Sequence, residues 1–151
     1  MGFTFFKRKS IFTKEEELKI TSAIKTAETT TSGEIRVFIE NNCPTEDALI
    51  RAKQLFFKLK MDKTEARNGV LLYTAFKNRR LAVYGDEGIN KAVGEEYWKR
   101  IVEKMLDEFS KENFVDGITK CILDIGTALQ HHFPYDKKTD INELPDDIIF
   151  G

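Results

Sequence analysis

Between Asn68 and Asn90 the chain reads NGVLLYTAFKNRRLAVYGDEGIN, and this stretch restricts the fold more than any other. Two short apolar runs are joined by the polar corner Lys77-Asn78-Arg79-Arg80. Apolar runs this short, bounded by turn residues, read as strands buried on both faces. The second run breaks into Gly85-Asp86-Glu87-Gly88. Two carboxylates therefore stand at the end of a buried strand, where ligands of α/β sheets are often held.

The flanking segments supply the layers. Thr13 followed by Glu16 has capping-box spacing and predicts a helix from about Lys14 to Thr29. The run from Thr29 to Gly33 ends it, and Glu34–Glu40 follows as a first strand with Ile35, Val37 and Ile39 on one face. Apolar positions from Ala48 to Leu59 predict a second helix over 45–60. A strand, a helix and a strand in succession imply a parallel, right-handed crossover. The short corner after Phe76 makes the third strand, about Leu81–Tyr84, antiparallel to the second, about Val70–Phe76. A helical turn is expected after Gly88. Two longer helices follow, over 95–109 with Trp98, Ile101, Val102, Met105 and Phe109 inward, and over 114–131 with Phe114, Ile118, Cys121, Ile122, Ile125 and Leu129 inward. The expected architecture is α/β, a three-layer α/β/α sandwich whose mixed sheet carries helices on both faces.

With 151 residues the chain is expected to form one domain, 13–134, between an arm over 1–12 and an acidic tail over 135–151. A net charge of −1 gives no general pull toward nucleic acid. No apolar segment approaches the roughly 18 residues that a membrane span needs, and the basic, aromatic start lacks a secretory h-region. Cys43 and Cys121 have neither disulfide-framework nor metal-knuckle spacing, which suits a reducing cytoplasm. The glycine fingerprint of dinucleotide binding is missing after the first strand.

The topology carries a consequence for chemistry. Strands one and two begin at one edge of the sheet, and strand three ends there. Glu34, Asp62, Glu65, Asn68, Asp86 and Glu87 should converge at that edge. Oxygen donors without His or Cys suit a hard divalent cation, Ca²⁺ or Mg²⁺, rather than zinc. Asp86 would be its chief ligand, with Glu34, Glu87 and Asp62 helping. Arg36 could clamp a phosphate beside the metal, giving weak metal-assisted phosphatase activity at most.

Each residue also has a plainer role. Asp86 and Glu87 can cap a helix start, with or without ligation. Glu34 can be the first solvated residue of its strand, and Arg36 can face solvent if that strand is an edge. Asp62 and Asn68 are common turn formers. His131-His132 suit a helix C-terminus, Cys121 a core position and Cys43 a loop. The tail's Ile148-Ile149-Phe150 either docks on a protein partner, making this a non-catalytic interaction module, or packs on its own chain.

The wording of several segments resembles the TPM domain family. The matching pieces are Thr31-Ser32-Gly33-Glu34-Ile35-Arg36-Val37, Asn68-Gly69-Val70-Leu71-Leu72, Gly85-Asp86-Glu87-Gly88-Ile89, and Phe109 with Asn113-Phe114-Val115-Asp116-Gly117-Ile118. The resemblance implies a Rossmann-like α/β/α sandwich and divalent-cation binding, calcium being the usual candidate. Some plant thylakoid members are credited with weak acid-phosphatase activity, and some animal members act as membrane-anchored accessory proteins. Many members carry a signal peptide and a transmembrane helix. This chain also reads Gly-Asp-Glu-Gly where the family pattern is Gly-x-Gly.

Overall fold

The computed structural model describes residues 12–110, 113–135 and 147–151, with side chains 108–110 outside the description. The elements are α1 (Lys14–Glu28), β1 (Glu34–Glu40), α2 (Ala48–Lys58), a 3₁₀ turn (Met61–Lys63), β2 (Gly69–Ala75), β3 (Arg80–Gly85), α3 (Glu87–Val93), α4 (Glu95–Ser110), α5 (Phe114–His132) and β4 (Ile149–Phe150).

The capping box forms as the sequence predicts. The Thr13 hydroxyl accepts from the Glu16 amide at 3.1 Å, and the Glu16 carboxylate accepts from the Thr13 amide at 2.9 Å. The far end of α1 reaches the sheet directly, where the Glu28 carboxylate accepts from the Ile35 amide at 2.8 Å. Helix α2 begins at Ala48 rather than Thr45. The Asp47 carboxylate accepts from the Leu49 amide at 2.8 Å and fixes the start there.

The sheet order is β3-β2-β1-β4. β1 and β2 are parallel, with Glu34 opposite Gly69, and β2 and β3 are antiparallel, with Val70 opposite Gly85. All seven residues of β2 are buried, which is the signature its unbroken apolar run carries. Ile35, Val37 and Ile39 pack with Val70, Leu72 and Val83 against α1, α3, α4 and α5. Phe38, Leu71, Tyr73 and Ala82 pack on the opposite face against Ala52, Leu55 and Phe56 of α2. The molecule is therefore an α/β/α sandwich with a mixed sheet, as expected.

Two further features, at Phe12 and at the start of α3, differ from the sequence reading, and a third decides between two uses that the sequence leaves open. The C-terminal apolar residues form β4, parallel to β1, with Phe38 opposite Ile149 and Ile39 opposite Phe150. Of the two uses open to these apolar residues, Ile149 and Phe150 thus take self-packing. Phe12, assigned to the arm, is buried and stacks on Phe114 with ring centroids 5.5 Å apart. Residues 1–11 and most of the tail lie outside the described residues, as does the side chain of Phe109. Helix α3 begins at Glu87, not after Gly88, because Asp86 is its N-cap.

Candidate functional site at the acidic rim

The register settles which side chains share the rim. Glu34 lies opposite Gly69, and the Asp86 amide donates to the Gly69 carbonyl at 2.9 Å. Glu34, Gly69 and Asp86 therefore form one row, on the α2 face by the two-residue alternation of strands. Two strand spacings put the outer members of this row roughly 10 Å apart at Cα. Gly69 leaves the middle open, and the Met61 carbonyl fills it: a Cβ at Gly69 would lie 3.0 Å from that oxygen. The next row inward is Arg36, Leu71 and Tyr84.

Asp86 is held from several directions and is 2% exposed. Its carboxylate accepts from the Glu87 amide at 2.8 Å, capping α3. It also takes two hydrogen bonds from Arg67, Nε at 2.7 Å and Nη2 at 2.9 Å, a fork that fits a planar guanidinium. The third arm of Arg67, Nη1, reaches the Glu87 carboxylate at 3.2 Å. The Asp86 hydrogen bond is the main reason that the Arg67 pKa is raised, and the charges of Asp86, Glu87 and Asp62 add to it. One guanidinium thus hydrogen-bonds two of the four carboxylates named as ligands, and Asp62 acts on it through charge alone.

The backbone that delivers Arg67 is unusual. Arg67 has φ +51°, the left-handed region that non-glycine residues seldom adopt. Its carbonyl accepts from the Gly88 amide at 2.9 Å, locking the 64–68 loop to the start of α3. Gly88 is needed for this approach, because a Cβ there would lie 2.4 Å from the Ala66 carbonyl oxygen and 2.6 Å from that of Arg67. Asn68, also buried, donates its amide N–H to the Thr64 hydroxyl at 3.3 Å and its side-chain NH₂ to Ser32 at 3.4 Å. The loop is thereby tied to the start of β1 as well.

Asp86 and Glu87 are together, and Asp62 stands near enough to act on Arg67 while its carboxylate meets Lys63 at 3.7 Å. Glu34 is at the same rim but is 3% exposed and across the Met61 carbonyl. Arg36 is buried at 8% exposure, one row inside the rim. Among the described residues, no three His, Cys, Asp or Glu side chains are grouped to hold a metal ion. The sequence reading missed Arg67. The left-handed turn that aims it leaves no periodic signal, although its place in the convergent 62–69 loop could have drawn attention.

The opposite edge carries a separate polar knot. Arg51 gives two hydrogen bonds to Glu40, at 2.9 and 3.1 Å, and Tyr73 donates its hydroxyl to the same carboxylate. Burial, and then the Glu40 bond, push the Tyr73 hydroxyl far above its usual range. Glu40 takes three hydrogen bonds from these donors, so the knot fastens α2 to the sheet.

Among the described residues no helix is long and apolar enough to cross a membrane. The TPM domain model matches residues 6–128. The NMR structure of BA42 from the psychrophilic bacterium Bizionia argentinensis is similar at 41% identity, covering 96% of this chain and 99% of BA42 with a TM-score of 0.86. The N-terminal domain of cg2496 from Corynebacterium glutamicum shares the fold at 10% identity and TM-score 0.63, over 93% of this chain and 82% of that one. An N-terminal domain from P. gingivalis does so at 16% identity and TM-score 0.63, over 84% of each chain. A comparison with curated proteins returns no match. With the family model spanning most of its length and BA42 alike from end to end, the chain belongs to the TPM domain family.

Proposed function

We propose that this TPM domain binds a divalent cation, calcium or magnesium, at the acidic rim, and that Arg67 holds the carboxylates in its place until the cation arrives. The observation that carries the reading is the hydrogen bonding of one guanidinium to both Asp86 and Glu87, with the charge of Asp62 nearby. Two neighbouring carboxylates favour a positive partner, and a hard cation with oxygen ligands is the alternative to arginine. Asp86 and Glu87 are the first ligands. Asp62 and Glu34 add charge, and water completes the shell. Because the cation must displace a forked ion pair, its affinity falls in the weak, submillimolar to millimolar class. Any phosphoester hydrolysis is feeble and metal-assisted, since Arg36 lies one row inside the rim, away from Asp86.

The test is titration of calcium, then magnesium, into the metal-free protein, followed by amide NMR shifts. The reading predicts saturable shifts at Asp62, Arg67 to Gly69 and Asp86 to Gly88. Asp86→Asn keeps a capping side chain but loses the charge, and it should abolish them. Arg67→Gln removes the competitor and should tighten binding. No shift at millimolar calcium, or an unaltered response in Asp86→Asn, would sink the reading.

A further inference from the structure

Strand β3 ends the sheet, and among the described residues no strand pairs with its outer side. The Asp86 amide points at β2. In an antiparallel pair the direction alternates, so the backbone groups of Leu81, Val83 and Gly85 point outward. They open into a groove of about 730 Å³. One wall is α2, presenting Leu49 and Phe57, which are 48% and 44% exposed. The other wall is α4, presenting Trp98 and Val102. The residues of this edge are buried, Leu81 at 6% and Val83 at 3% exposure, so its outward groups are reached only through the groove; an unpaired edge between two walls that carry apolar side chains is the geometry of strand addition.

We propose that this groove takes up an extended segment of a partner protein as a fifth strand beside β3. The segment would be a run of about four apolar residues flanked by Lys or Arg. Its length follows from β3, whose six residues span roughly 20 Å. Its apolar run follows from alternation, since successive side chains meet Trp98 and Val102 on the α4 wall and Leu49 and Phe57, on either side of Lys53, on the α2 wall. Its basic flanks follow from the lining charge. Five carboxylates, Asp47, Asp86, Glu87, Glu95 and Glu103, line the groove against three cations, Lys53, Arg67 and Lys99, so the lining is acidic on balance. A second copy of this chain is a poor occupant. Helix α4 packs on β3 rather than β2, and pairing two β3 strands about 5 Å apart would bring two such helices inside the 8–10 Å they need. The proposal does not rest on the cation reading, which concerns the rim beyond the end of the groove.

A fluorescent hexapeptide, Lys-Val-Ile-Val-Tyr-Lys, tests it by anisotropy against the full chain, with hydrogen exchange of the β3 amides as the second readout. Micromolar binding is expected, with slowed exchange at Leu81, Val83 and Gly85. A Glu-flanked version should bind at least ten-fold more weakly. Leu49→Glu and Phe57→Glu should each weaken binding at least ten-fold. Both side chains are about half exposed, so folding should survive, and circular dichroism checks it. The exchange readout in the unaltered chain stands even if a variant fails to fold. No binding at 1 mM peptide, equal affinity for the acidic version, protection elsewhere than β3, or concentration-dependent dimerisation through β3 would each overturn the proposal.

Discussion

Gly88→Ala separates the account of the rim from ordinary helix reasoning. Gly88 lies in the first turn of α3, where replacing glycine by alanine normally stabilises a helix by about 1 kcal/mol. Here the new Cβ would sit 2.4 Å from the Ala66 carbonyl oxygen, whereas real Cβ atoms essentially never come within 3.0 Å. The carbonyl must therefore retreat by at least about 0.6 Å. The obstacle is backbone, so no rotamer change relieves it. Overpacking of this kind costs roughly 1–3 kcal/mol, and the strained Gly88–Arg67 hydrogen bond adds about 1 kcal/mol. Set against the propensity gain, the net loss is about 2 kcal/mol. For a chain of this length that lowers Tm by roughly 4–8 °C. Thermal unfolding followed by far-ultraviolet circular dichroism measures it, and urea unfolding with an unchanged m-value confirms that the native state bears the cost. An unchanged or raised Tm would refute the claim that the 64–68 loop is pressed against α3.

Three other outcomes follow from the same structure. Ile149→Ala should lower stability by about 2 kcal/mol in urea unfolding, because Ile149 is buried against the α2-side core and pairs with Phe38. Alkylation by iodoacetamide should modify Cys43 well before Cys121. Partial burial raises the Cys43 thiol, but hydrogen bonding with Thr45 and Tyr73 together outweighs it and the net shift is downward, whereas burial drives Cys121 far upward. The urea midpoint should hold steady to about pH 8.5 and then decline. Cys121 and Tyr73 have folded pKa values raised above those of the unfolded chain. The unfolded state therefore loses protons first, and stability drains as pH climbs. Cys121→Ala should flatten the decline between roughly pH 8.5 and 10, leaving the tyrosine part above it.

Much of the fold was legible because burial writes itself into period. β1 spans the residues its alternation predicts, and the unbroken run of β2 is buried on both faces. The capping box of α1 is a local device and formed as read. The helix that follows β3 was placed too late because Gly88 looked like punctuation. Its glycine instead answers the carbonyls of a distant loop, which no local pattern records. The sequence leaves two uses open for the residues of β4, because two or three apolar residues say nothing of their partner. At the site, convergence of Glu34, the 62–69 loop and Asp86 followed from strand direction alone. The Arg67 fork did not, since it depends on one left-handed residue and on distances across the loop. Arg36 illustrates the same limit. Its place in the strand was readable, but its depth beneath α2 required the layers to be assembled.

The most direct measurement is a crystal structure of the protein grown with calcium, read at the rim. The account predicts an ordered ion with oxygen ligands from Asp86 and Glu87 at about 2.3–2.6 Å and the Arg67 guanidinium turned away from both. An Arg67–Asp86 fork left intact, with calcium absent from the rim or bound elsewhere, would contradict it.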